Sequence, residues 1–221
     1  MRVNGATPFK GAPRWEYDLY CRLVRTAWKA AGGSLHVSGL ENIPPEGPCF
    51  LIPNHQSYLE PLLIASVVPR MVHPMAKSGQ FAMPVLGRLL SRVYGFPVRR
   101  HQVDAQAART ALRRLASDAA VMIFPEGERT WDGRLQPFRI GVLRLILKVG
   151  VPVVPVRVDN AYDLWPRWER LPRPGPLHLT FKPPLHFPKL ERRSERTRAA
   201  VDDVRRQLSA ALAGPLDQRG L

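Results

Sequence analysis

His55, Glu60 and Arg129 are the residues of this 221-residue chain whose types and spacing can do chemistry. The first two lie in Asn54-His55-Gln56-Ser57-Tyr58-Leu59-Glu60. The third follows about seventy residues later, in Phe124-Pro125-Glu126-Gly127-Glu128-Arg129-Thr130. An imidazole is the side chain best suited to take a proton from an alcohol near neutral pH. A carboxylate beside it fixes the ring tautomer and steadies the imidazolium. Arg129 offers a planar fork of donors that fits a phosphate. Together these are the parts for activating a hydroxyl on a phosphate-bearing acceptor.

The spacing constrains how the parts are held. Five positions along a regular helix rotate by about 140° and rise about 7.5 Å, so His55 and Glu60 cannot meet if both stand on one helix. Proline is tolerated only in a first helical turn, so Pro61 predicts a helix starting near Ser57 or Tyr58, with His55 in the turn before it. Glu60 then reaches back to the ring from the first turn. The competing reading is a capping box with Ser57 as N-cap and Glu60 three positions on. Ser57 is not read as a nucleophile, because nothing around it resembles a nucleophile elbow. In the second block a strand over 121–124 delivers Pro125-Glu126-Gly127 into a turn, where Gly127 relieves the backbone. Glu126 and Arg129 then project from the strand's end. They form either a structural ion pair or, with Arg139 nearby in sequence, a cradle for a phosphate monoester.

The elements that carry these turns alternate. Apolar runs at 50–53, 121–124, 151–158 and 177–181 read as strands, two of them nearly continuous in Val, Ile and Phe as buried strands are. Helical periodicity covers 15–31, a segment opened by Asp104 as N-cap, 138–149 and 198–213; Gly32-Gly33 and Gly214 end the first and last of these. The pattern predicts an α/β fold in one domain, with sites at strand-to-helix junctions. Residues 159–176, rich in Trp, Pro and Arg, read as a loop insertion. Segments 1–13 and 214–221 read as loose tails. The domain boundaries are 14–33 for an N-terminal amphipathic helix, a candidate for membrane docking, and 34–213 for the remainder.

At this length a core forms without disulfides or metals. Cys21 and Cys49 read as two reduced thiols, and the six histidines show no metal-ligand spacing, so no metal site is expected. The net charge of +15 calls for an anionic partner or surface. From Arg70 to Arg114 there are nine Lys or Arg and one acid, Asp104. Phe81, Met83, Leu89 and Leu90 are interleaved with Arg88 and Arg92 there. This suits an interfacial surface better than a phosphate-only groove, the plain alternative being an amphipathic helix with a solvated basic face. No nucleic-acid recognition motif or aromatic stripe is present, which sets nucleic acid aside as partner. No apolar run reaches the roughly 18–20 residues that span a bilayer, so a peripheral position on the cytoplasmic face of a membrane is expected. Within 15–31 the set Trp15, Leu19, Tyr20, Leu23, Val24, Ala27, Trp28 and Ala31 recurs at helical spacing. It either packs on the core or inserts its two tryptophans at the headgroup level.

The two blocks resemble those of the glycerophospholipid acyltransferase family, the group that includes 1-acyl-sn-glycerol-3-phosphate acyltransferases. Its usual patterns are His-x-x-x-x-Asp and Phe-Pro-Glu-Gly-Thr-Arg-Ser. Here Glu60 stands for Asp, and Glu128 and Thr130 stand for Thr and Ser. Gly39-Leu40-Glu41-Asn42-Ile43-Pro44, then Lys77 with Gly95-Phe96-Pro97-Val98-Arg99-Arg100, Pro137-Phe138-Arg139-Ile140-Gly141 and Val151-Pro152-Val153-Val154-Pro155-Val156 continue the resemblance in order over roughly residues 35–185. The resemblance implies a mixed central sheet flanked by helices. It also implies transfer of a fatty acyl group from an acyl thioester to the free hydroxyl of lysophosphatidate or a similar lyso-phospholipid, in phospholipid biosynthesis. His55 would be the general base, assisted by Glu60, with no acyl-enzyme. Glu126, Gly127 and Arg129 would bind the acceptor, and Lys77 and Arg100 would help with phosphate or donor. No cofactor is implied; acyl-coenzyme A or acyl-carrier protein is the co-substrate. The alternatives are glycerol 3-phosphate or another lyso-lipid as acceptor, and a catalytically silent relative that binds anionic lipid.

Overall fold

A computed structural model describes residues 14–92, 94–99 and 104–214. In chain order the elements are α1 (Arg14–Ala30), β1 (Ser34–Ser38), β2 (Cys49–Pro53), α2 (Glu60–Val67), β3 (Val72–Lys77), α3 (Ser78–Phe81), α4 (Pro84–Arg92), β4 (Phe96–Val98), α5 (Ala105–Ala116), β5 (Ala120–Met122), α6 (Ile140–Val149), β6 (Val153–Asp159), α7 (Ala161–Leu164), β7 (Pro176–Phe181) and α8 (Arg198–Leu212). Among the described residues seven strands form one sheet in the order β1-β7-β6-β2-β5-β3-β4. All neighbours are parallel except β6 and β7, so the sheet is mixed as expected.

Strands β2 and β5 are apolar and buried at every position because helices cover both faces of the sheet. Along β2, Cys49 and Leu51 enter the core shared with α1 and α2, while Phe50 and Ile52 enter the core shared with α5, α6 and α8. On β5, Ala120 and Met122 face the first core and Val121 the second. A one-residue slip in either strand would exchange these sets, so the two cores fix the register together.

The period-3.6 pattern of α1 divides between two surroundings. Tyr17, Tyr20, Cys21 and Trp28 are buried. The Tyr17 hydroxyl donates to the Ala65 carbonyl at 3.2 Å and accepts from the Val72 amide at 3.2 Å, and Arg25 donates to the Ser66 carbonyl. Trp15, Leu19 and Leu23, spaced by four, form an outward stripe. The two tryptophans therefore part company: Trp28 is 7% exposed and Trp15 62%. Gly33 is required beneath Trp28, since a Cβ there would lie 2.2 Å from the indole.

Helix α5 begins where expected, with the Asp104 carboxylate accepting from the Gln106 and Ala107 amides. Helix α6 closes on Gly150 at φ 65°. The last helix stops at Leu212 on an extended Ala213, one residue before the glycine expected to end it. The insertion after β6 is not wholly irregular, since it opens with the single turn α7. Cys21 and Cys49 are buried and unbridged. Among the described residues no helix is long and apolar enough to cross a membrane.

Candidate active site

Strand β2 lies at the point where the chain changes direction across the sheet. From β2 the chain passes through α2 to β3 on one side, and from β5 it crosses through α6 to β6 on the other. In parallel sheets such a switch opens a crevice at the carboxyl ends of the strands. His55 follows β2 there, Glu126 follows β5, and Asn160 follows β6.

The His55 turn is held from every side. Asn54 uses both ends of its amide on Val158, Nδ2 donating to the carbonyl at 2.9 Å and Oδ1 accepting from the amide at 2.7 Å. The His55 amide donates to Glu126 Oε1 at 2.6 Å, and the His55 carbonyl accepts from the Thr130 amide at 2.8 Å. The other Glu126 oxygen accepts from the Gln136 amide at 2.8 Å. Glu126 is thus buried beneath the turn with both oxygens on backbone amides.

His55 and Glu60 meet. Nδ1 of the ring lies 2.6 Å from Glu60 Oε2, and the ring, 6% exposed, packs on Phe124 at 4.0 Å between centroids. With Glu60 ionised the carboxylate can only accept, and Nδ1 then carries the proton and Nε2 the lone pair. Glu60 is the first residue of α2, with Pro61 second. The helix begins two or three residues later than the proline suggested, but His55 precedes it as required. The other oxygen, Oε1, accepts from the Gln56 and Ser57 amides at 2.6 and 2.7 Å. One oxygen thus fastens the turn and the other holds the imidazole, while the capping box is not formed, since Leu59 and not Ser57 is the N-cap of a helix that starts at Glu60. Burial pushes the Glu60 carboxyl well above its ordinary range and Glu126 adds to this, while the two amides and Arg129 pull it back. The Ser57 hydroxyl accepts from the Leu59 amide at 3.2 Å.

Arg129 lies 3.5 Å over the ring of Tyr58. Its Nη1 is buried, with no acceptor in reach among the described residues. Burial lowers its pKa from the usual arginine value, with Arg167 pushing the same way and Tyr58 and Glu60 opposing. Gly127 has φ +77°, and a Cβ there would lie 3.0 Å from Arg139 Cγ, so the turn is built for glycine. Arg139 donates to the Glu126 carbonyl at 3.1 Å and to Glu128 at 2.9 Å. The cation beside Arg129 is instead Arg167, from the insertion after β6, whose Nη1 donates to the Arg129 carbonyl at 3.1 Å. No motif marked Arg167, and 38 residues separate the pair. Lys77 ends β3 at the same edge of the sheet, exposed and two strands from β2. Arg100 lies outside the described residues. Among the described residues no His, Cys, Asp or Glu cluster has the makings of a metal site.

A family model described as Acyltransferase matches residues 34–159. The chain is 34% identical over 133 residues to the 1-acyl-sn-glycerol-3-phosphate acyltransferase BAT2, chloroplastic, of Brassica napus, covering 59% of this chain and 38% of that protein. It is 28% identical over 183 residues to the 1-acyl-sn-glycerol-3-phosphate acyltransferase of Pseudomonas aeruginosa, covering 81% and 70%. The chain thus spans well under half the length of the Brassica relative and about two thirds of the bacterial one. The crystal structure of the 1-acyl-sn-glycerophosphate (LPA) acyltransferase PlsC from Thermotoga maritima shares the fold, with TM-score 0.69 at 22% identity, over 92% of this chain and 85% of that one. With the family model matching over more than half its length, and with the buried histidine–carboxylate pair at the switch point of a mixed sheet, this chain belongs to the Acyltransferase family.

Proposed function

We propose that the protein transfers a fatty acyl group from an acyl thioester to the free hydroxyl of lysophosphatidate or a closely similar lyso-phospholipid. The observation that carries this reading is the 2.6 Å contact between His55 Nδ1 and Glu60 Oε2, which leaves Nε2 as the base beside an arginine with a buried, unsatisfied donor. The names of the relatives support the acceptor class.

In the proposed step Nε2 takes the acceptor's hydroxyl proton as its oxygen bonds to the thioester carbonyl carbon. The tetrahedral intermediate then collapses with cleavage of the C–S bond, and the imidazolium returns its proton to the departing thiolate. Glu60 stabilises the imidazolium while it exists, and no acyl-enzyme forms. Arg129 binds the acceptor phosphate. Glu126 acts by positioning, since its two oxygens fix the backbone on which His55 stands. Lys77 and Arg100 assist with phosphate or donor. The donor is acyl-coenzyme A or acyl-carrier protein, both acidic partners suited to a chain of net charge +15. The outward stripe Trp15, Leu19 and Leu23 docks the enzyme on an anionic membrane as a peripheral protein, while the opposite face of α1 packs on the core.

The test is release of coenzyme A thiol, or of free carrier protein, when each donor is mixed with lysophosphatidate, glycerol 3-phosphate and other lyso-lipids. The expected result is acceptor-dependent release, abolished in His55→Ala. Retained transfer in that variant would remove the assignment of the base. Arg129→Ala should raise the acceptor KM above all, and an unchanged KM would remove the clamp.

A further inference from the structure

The geometry points to Arg167 as a second phosphate-binding residue, which with Arg129 makes the acceptor site selective for a phosphate monoester over a phosphate diester. This rests on the proposed function and adds a residue and a specificity to it.

Arg167 is fixed in place without being used up. Its guanidinium lies 3.2 Å over the Trp131 ring, and Nη1 is held by the Arg129 carbonyl and stands 3.8 Å from Glu128 Oε2. The side chain is 20% exposed. No hydrogen bond from its Nε or Nη2 is formed among the described residues. Arg129 is in the matching condition, stacked on Tyr58 with a buried Nη1 that lacks an acceptor. The charge of Arg167 acts unfavourably on Arg129, and both side chains are partly withdrawn from solvent. A fold tolerates that where an anion completes the arrangement.

The nearby acids do not complete it. Glu128 is shared, 2.9 Å from Arg139 and 3.8 Å from Arg167. Glu60, behind Arg129, accepts from His55 and two backbone amides. Arg167 is therefore left with a distant share of Glu128, and Arg129 with no acceptor on Nη1. A phosphate monoester carries a charge of about −1.5 to −2 at pH 7 and three acceptor oxygens, whereas a diester carries one charge. Two forks presented at fixed angles match the first and leave donors unpaired on the second.

The test measures acceptor kinetics and direct binding on the whole protein. Wild type, Arg167→Gln, Arg167→Lys and Arg173→Ala are assayed with lysophosphatidate and with lysophosphatidylglycerol, and binding of hexanoyl lysophosphatidate is measured by calorimetry without donor. Arg173 pairs with Glu169 at 2.8 Å and serves as the control from the same segment. In Arg167→Gln the lysophosphatidate KM and dissociation constant should both rise about 10- to 100-fold, the worth of a charge-assisted bond, with kcat little changed. The preference for the monoester should shrink by a comparable factor. Arg167→Lys, which keeps the charge and loses the fork, should fall between, and decides the matter alone if the glutamine variant does not fold. An active wild type whose KM and monoester preference are unmoved by Arg167→Gln or Arg167→Lys would overturn the role of Arg167 and leave the proposed function standing. A wild type with neither turnover nor binding would overturn both.

Discussion

Replacing Glu60 by glutamine separates the two tasks of one side chain. The variant keeps an oxygen for the Gln56 and Ser57 amides, which lie 2.6 and 2.7 Å from Oε1, so the turn should hold. What changes is the group facing His55 Nδ1, now an amide N–H that demands an acceptor. The ring proton must move to Nε2, and the lone pair proposed to remove the hydroxyl proton is lost. Loss of one charge-assisted hydrogen bond alone would cost about 1.5–3 kcal/mol, roughly 10- to 150-fold in rate. The wrong tautomer in a comparable histidine–carboxylate pair lowers kcat by about 10⁴. The expected fall is therefore about 10³- to 10⁴-fold in kcat, with the acceptor KM near wild type. Stability should move the other way. A carboxyl whose pKa is raised on folding holds its proton more tightly in the folded state. Its stabilising contribution is present below the ordinary glutamate pKa and is lost as pH rises through the folded value. Above that value wild type carries a buried charge that the variant lacks. The Tm of Glu60→Gln should accordingly equal or exceed wild type at pH 8, and its advantage should vanish as pH falls into the ordinary glutamate range. Single-turnover kinetics and thermal unfolding at several pH values read both effects. A kcat indistinguishable from wild type would refute the tautomer argument, and a clearly lower Tm at pH 8 would refute the electrostatic one.

Asn54→Ala should strip the Val158 amide and carbonyl of their partner, at about 1–3 kcal/mol for each buried group left unpaired; faster hydrogen exchange at that amide and a lower denaturant midpoint would report it. Gly127→Ala should lose about 1–2 kcal/mol through the left-handed backbone alone and displace Arg139, measured by urea unfolding; a stability equal to wild type would contradict the turn geometry. Glu126→Gln must turn an N–H toward either the His55 or the Gln136 amide, so kcat should fall more than acceptor KM rises, which steady-state kinetics will show. Serine at Trp15, Leu19 and Leu23 should abolish flotation with anionic liposomes at an unchanged Tm, because each exposed side chain supplies up to about 1.5–3 kcal/mol only when a bilayer covers it.

Strands β2 and β5 and the first half of β6 were legible because helices on both faces make them continuously apolar, a signal independent of helix periodicity, and β7 because buried Leu177, Leu179 and Phe181 alternate with more exposed residues. Strand β1 was not, since Ser34–Ser38 alternates exposed and half-buried at the sheet's edge. Strands β3 and β4 hid behind prolines. Pro74 falls where the pairing of β3 passes from β5 to β4, and Pro97 sits in a three-residue strand at the other edge, so each proline is tolerated where a central strand would exclude it. At the site, the meeting of His55 and Glu60 followed from helix geometry and Pro61. The companion of Arg129 did not. Nearness in sequence favoured Arg139, which the Gly127 turn binds to Glu126 and Glu128, whereas Arg167 arrives through a crossover and a loop that leave no periodic trace.

Strand β1 pairs with β7, and Ser38 and Thr180 on these strands are 142 residues apart. During synthesis α1 and β1 therefore leave the ribosome long before the partner of β1 exists, and the pairing of β1 at the sheet's edge waits until β7 has followed. Through that interval the outward tryptophan and leucines of α1 are available while the crevice around His55 is still unbuilt. A nascent chain with this connectivity can settle on a lipid surface first and complete its fold there.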